Sequence, residues 1–205
     1  MPKGLYTTFT TLKANNACKE RYGYLARKLG GIRNYGEQTH IPLSTILDIN
    51  GFADTAWALR VVPNTQYEDA RRIARLCAAD FAERVIEYCG GKDNENIAYI
   101  LETIRLYAEG RCSFEKVLQA KMIALTADNK TTQATTTYAL KAFMSACSKR
   151  EYDALTETST YVLWTIEEAY EADLGLMQKM VKKEQEWQIK KFRQYLRQSK
   201  SNTKV

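Results

Sequence analysis

The interval at which apolar residues recur constrains this chain more than any single motif does. In KDNENIAYILETIRLYAEG, residues Ile97, Ile100, Leu101, Ile104 and Ala108 fall on one face of a 3.6-residue helix, with Asp93 or Asn94 placed to cap it and Gly110 to end it. The segment before it repeats the pattern through Ala70, Ile73, Cys77, Phe81, Val85 and Tyr88, and Gly90-Gly91 close that helix. Strand-like alternation is hard to find. The expected fold is therefore all-α: a single multi-helix bundle over residues 1–198, a frayed tail at 199–205, and a long basic amphipathic C-terminal helix.

Other helices are expected at 7–14, 17–29, 138–148 and 152–170, the last with Leu155, Val162, Ile166 and Ala169 aligned. Ser113 offers an N-cap for one more helix, which carries Val117, Leu118, Met122 and Leu125. GGIRNYGEQTHIP reads as a loop, and TADNKTTQATTT as a polar, β-branched interruption. In ILDINGFADTAWALR the flanks of the Asn-Gly pair keep helical spacing instead of alternating, so the pair reads as a helix stop. Gly51 ends one helix in the left-handed conformation, Asp54 favours the first turn of the next, Pro42 is placed as the first helical residue of the corner, and Pro63 closes it.

Charge is unevenly spread. Residues 179–205 hold nine Lys/Arg against Glu184 and Glu186, so the remainder of this +6 chain is close to neutral. On a wheel, the terminal helix from about Leu174 to Gln198 gathers Leu174, Met177, Val181, Ile189, Phe192, Tyr195 and Leu196 in one sector. Lys179, Lys183, Lys190, Arg193 and Arg197 crowd the other side. Lys183, Lys190, Arg193 and Arg197 are the electrostatic contact candidates, and Trp187, off the apolar sector, is a possible anchor.

Five cysteines without a C-x-x-C spacing fit a reduced compartment. The opening MPKGLYTTFTTLK lacks the apolar core of a signal peptide, and no run reaches membrane-span length. The expected location is the cytoplasm, or a host cytoplasm if the gene is viral. A bundle would use up the apolar sector of the last helix, leaving a membrane surface nothing to hold.

Chemistry is sparse. His40 is the single histidine and is expected as a capping or solvated side chain, so neither a zinc site nor a Ser-His-Asp or Cys-His arrangement is available. Cys77 and Cys147 read as core residues, Cys89 as a helix end and Cys112 as a turn residue, with no base to activate them. GGIRNYGE has glycines but not the lysine of a phosphate loop. The best enzymatic lead is carboxylate clustering, Glu167, Glu168 and Glu171 on one helix and Asp80, Glu83 and Glu87 on another. Such groups hold Mg²⁺ in all-α nucleotide pyrophosphohydrolases, although acidic residues on an outer helix face are the commoner use.

Several stretches, in order, resemble one family: ACKERYGYLARKLGG, IPLSTILDINGFADTAWALR, RRIARLCAADFAERV, AYILETIRLYAEGRCSFEKVLQAK and EQEWQIKKFRQYL. They are similar to the helical immunity proteins of tailed phages and bacteria, relatives of polymorphic-toxin immunity proteins. The middle departs, with TADNKTTQATTTYALKAFM where that family carries Ala/Trp/Arg-rich helices. The resemblance implies a non-enzymatic protein, needing no cofactor or metal and having no catalytic residues, that binds and inhibits a toxin or a bacterial defence component. The alternatives are a nucleic-acid accessory protein working through the basic terminal helix, and, third, the Mg²⁺-dependent pyrophosphohydrolase.

Overall fold

The structure, a computed structural model, describes residues 4–199 and is all-α. Its helices are α1 (Phe9–Ala14), α2 (Lys19–Lys28), α3 (Ile32–Tyr35), α4 (Leu43–Asn50), α5 (Phe52–Ala58), α6 (Tyr67–Glu83), α7 (Glu95–Ala108), α8 (Phe114–Asp128), α9 (Ala134–Ala146), α10 (Glu151–Ala169) and α11 (Leu174–Gln198). Among the described residues, extended pairing is confined to β1 (Tyr6–Thr7) against β2 (Ile41–Pro42), antiparallel. The described residues form two compact units, one holding 4–73 and 192–199, the other Ala74–Lys191.

In the first unit Phe9 is fully enclosed, with Tyr22 and Tyr35 edge-on at 5.4 and 5.8 Å between ring centroids. Thr8 caps α1 by accepting from the Thr11 N–H at 3.1 Å, which moves the start of that helix two residues past the expected Thr7 and leaves Thr7 in β1. The expected loop after Gly31 contains the single turn α3, held by a bond from Asn34 Nδ2 to the Gly30 carbonyl.

The Asn-Gly corner forms as a helix stop between α4 and α5. Gly51 has φ +88°, a conformation that costs a β-carbon-bearing residue strain. Asn50 Nδ2 donates to the Arg21 carbonyl at 3.0 Å and to Asp54 Oδ2 at 2.7 Å, while Arg21 pairs with Asp54 at 2.7 Å. Pro42 stands one residue ahead of its expected place, as the N-cap of α4. Past Ala58 the chain tightens into a 3₁₀ turn at Leu59–Val61 and leaves helical geometry at Val62, the residue before Pro63, as the clash with a following proline ring requires. Phe192 is enclosed against Phe52 at 5.4 Å.

In the second unit the helix expected to reach Gly90 stops at Glu83. Ile86–Cys89 form a 3₁₀ turn that still buries Val85, Ile86 and Cys89, whereas Tyr88 is half-buried. Asn94 supplies the cap of α7, accepting from the Asn96 and Ile97 N–H groups. The buried isoleucines Ile97, Ile100 and Ile104 stabilise this helix by about 2 kcal/mol each. Ser113 has N-cap backbone geometry, but its hydroxyl turns to Glu115.

The interruption read in the threonine-rich stretch is shorter than expected. It ends at Gln133, and Thr135–Thr137 belong to α9, where packing overrides their weak intrinsic preference. Small residues explain how closely α9 and α10 lie together. Ala139, Ala142, Ala146 and Ala154 are buried, and Thr158 Oγ1 reaches the Ala142 carbonyl across the pair at 3.3 Å. Ala169, expected on the inner stripe of α10, is exposed at its last turn.

Candidate functional site

The terminal helix buries Phe192 and Leu196 of its expected apolar sector, yet polar side chains are buried along the same side. Within the second unit the inward positions of α11 include Glu184 and Gln188, each only 3% exposed, while Leu174 at the helix start is 64% exposed. The reason is polar complementarity. Arg84 Nε donates to Glu184 Oε2 at 3.0 Å, Ser159 Oγ to Gln188 Oε1 at 2.6 Å, and Gln188 Nε2 to Glu184 Oε1 at 3.4 Å. Burial pushes the Glu184 carboxyl above its ordinary value, opposed by the Arg84 charge and its hydrogen bond and by the bond from Gln188. On a wheel Gln188 falls inside the apolar sector and Glu184 at its edge, but the sequence does not name the partners that satisfy them there.

Trp187 is half-buried and faces inward. Its ring meets Phe81 edge-on at 6.0 Å, and the Arg84 guanidinium lies 4.6 Å from the ring centroid. These contacts tie α11 to the end of α6 and use the ring for packing. Lys191, which sequence reasoning passed over, reaches Asp80 Oδ2 at 3.0 Å.

Lys179, Lys183 and Lys190 remain on the open side, all exposed and without an acidic partner among the described residues. They lie on one face of α11, at i, i+4 and i+11. In the first unit Arg197 is exposed, and Arg193 pairs with Asp48.

The carboxylate clusters separate into two kinds. Arg105 Nη2 takes both Asp80 at 2.8 Å and Glu83 at 2.7 Å, so these acids serve as ion-pair partners inside the unit, and Glu87 lies exposed on the 3₁₀ turn. Glu167, Glu168 and Glu171 line a cleft with Tyr138, Trp164 and Met177. Among the described residues no three acidic, histidine or cysteine side chains converge as cation ligands.

His40 is exposed, its ring stacked on Tyr6 at 3.7 Å. Cys77, Cys89 and Cys147 are buried, and burial pushes the thiols of Cys89 and Cys147 up to about 12, far from the thiolate a nucleophile needs. Cys112 is raised as well, and its thiol donates to the Thr103 carbonyl. No helix of the described residues is long and apolar enough to cross a membrane. No protein-family model, curated protein or solved structure matches the chain.

Proposed function

We propose that this chain is a binding protein without turnover that recognises an acidic surface on a protein partner, a toxin or a bacterial defence factor, and inhibits it by covering that surface. The observation that carries the reading is the row Lys179, Lys183 and Lys190, three ammonium groups on one helix face with no acidic partner among the described residues. By contrast, Asp80, Glu83 and Glu184 each hold a cation inside the unit. Exposed charges of one sign contribute little to stability and instead steer a complementary surface into register. A protein partner is favoured over nucleic acid because Trp187, the stacking candidate on this helix, already packs against Arg84 and Phe81.

The test compares the immobilised full chain with a Lys183→Glu/Lys190→Glu variant against nuclease-treated host extract, with thermal melts confirming that both are folded. An acidic protein retained by the first, eluted by rising salt and ignored by the second supports the reading. Retention that disappears on nuclease treatment replaces it with the nucleic-acid role. Equal retention by both chains overturns the assignment to this face.

A further inference from the structure

A cleft of about 390 Å³ on the second unit, lined from α9, α10 and α11, combines aromatic walls with unneutralised acid. Trp164 is 43% exposed, unusual for so large a ring, yet its place is fixed: Tyr138 and Tyr161 meet it edge-on at 5.8 and 5.2 Å. Edge-on neighbours leave the indole faces, where the negative quadrupole lies, free of those two rings. Glu167, Glu168 and Glu171 border the same space, and none has a cationic partner among the described residues. Met177 adds a polarisable apolar contact. Lys141 Nζ sits 5.8 Å from the Tyr138 centroid, so an alkylammonium already rests on one ring of this cluster.

Aromatic faces attract cations, carboxylates complete the charge match, and a thioether tolerates a hydrocarbon stem. A small hard metal ion fits poorly, because it requires several oxygens converging at one point and no such group forms among the described residues. We propose that this cleft binds an organic cation, an alkylammonium group carried on an apolar stem. Two sources share that chemistry, a free aliphatic polyamine and a lysine side chain on another protein. The site is independent of the lysine face of α11 and of the function proposed for it.

Calorimetry on the full chain separates the sources, with spermidine in one arm, Nα-acetyl-lysine methylamide in a second and Mg²⁺ in a third. Saturable binding of one or both organic cations, weakened roughly tenfold by Trp164→Ala and by Glu167→Gln/Glu171→Gln, is the expected result. Glu157→Gln, an exposed acid on α10 outside the cleft, is expected to leave it unchanged. Spermidine alone binding identifies a small-molecule site, and the lysine analogue matching it identifies a side-chain pocket. Absence of saturable binding by either, affinity indifferent to the Trp164 change in a folded variant, or Mg²⁺ displacing the amine at equal concentration overturns the proposal.

Discussion

Arg75 Nη2 lies 2.9 Å from Glu151 Oε1, and the arginine is 2% exposed. The same guanidinium donates to the Ser148 and Lys149 carbonyls and stacks 4.5 Å from the Tyr107 ring centroid, so one side chain of α6 closes the turn between α9 and α10. Its removal takes a donor away from two carbonyls and a carboxylate. Arg75→Met is expected to lower stability by about 3 kcal/mol, measured by urea unfolding. Glu151→Gln, which keeps an acceptor for the guanidinium, should cost clearly less, and equal losses would mean that the charge is the whole effect.

Glu184 gives stability a definite pH slope. Its carboxyl is raised above the ordinary 4.5 in the folded state, chiefly by burial, so the folded chain holds that proton more tightly than the unfolded one. Its contribution is complete below about 4.5 and declines as pH climbs through the raised value. Glu184→Gln removes the titration. The stability of that variant relative to the parent should therefore increase as pH rises from about 4.5, by about 1.4 kcal/mol for each unit by which the folded value is raised. Denaturant titrations at a series of pH values check this, and parallel curves would count against it.

Gly51 sits at φ +88° with open space where a β-carbon would go. With ψ −172° this is an extended positive-φ conformation open essentially to glycine alone, so Gly51→Ala should cost about 1–3 kcal/mol from backbone strain, with no steric collision. Its crystal structure or backbone chemical shifts should show α4 and α5 unchanged. A loss several times larger would reveal contacts that the open space does not suggest.

Thiol labelling should be staged. Cys18 is exposed and should react first, Cys112 more slowly, and Cys77, Cys89 and Cys147 only after unfolding. Mass spectrometry over time reads this order directly. Early labelling of Cys147 would indicate that α9 opens locally.

Most helices were legible because apolar stripes at 3.6 residues must be buried somewhere, as Ile97, Ile100 and Ile104 are. Their ends were less so. Glu83 terminates α6 seven residues before the glycines that look like its stop, since the chain tightens locally while continuing to bury Val85 and Ile86. Thr135–Thr137 are helical because the rest of α9 is packed, which composition does not convey. At the candidate site, the lysine row could be read from a wheel. What pairs the inward Glu184 and Gln188 could not, because Arg84 and Ser159 lie 100 and 29 residues away. The cleft was half legible: the three glutamates stood out, but nothing in their spacing announced the rings of Tyr138 and Trp164 beside them.

A leucine pair at 184 and 188 would let α11 slide or roll over an oily neighbour at modest cost. With an acid and an amide there, displacement by one turn, about 5.4 Å, leaves two hydrogen-bonding groups facing hydrocarbon. The helix is keyed to a single seat, and the lysines on its outer side inherit that fixed bearing.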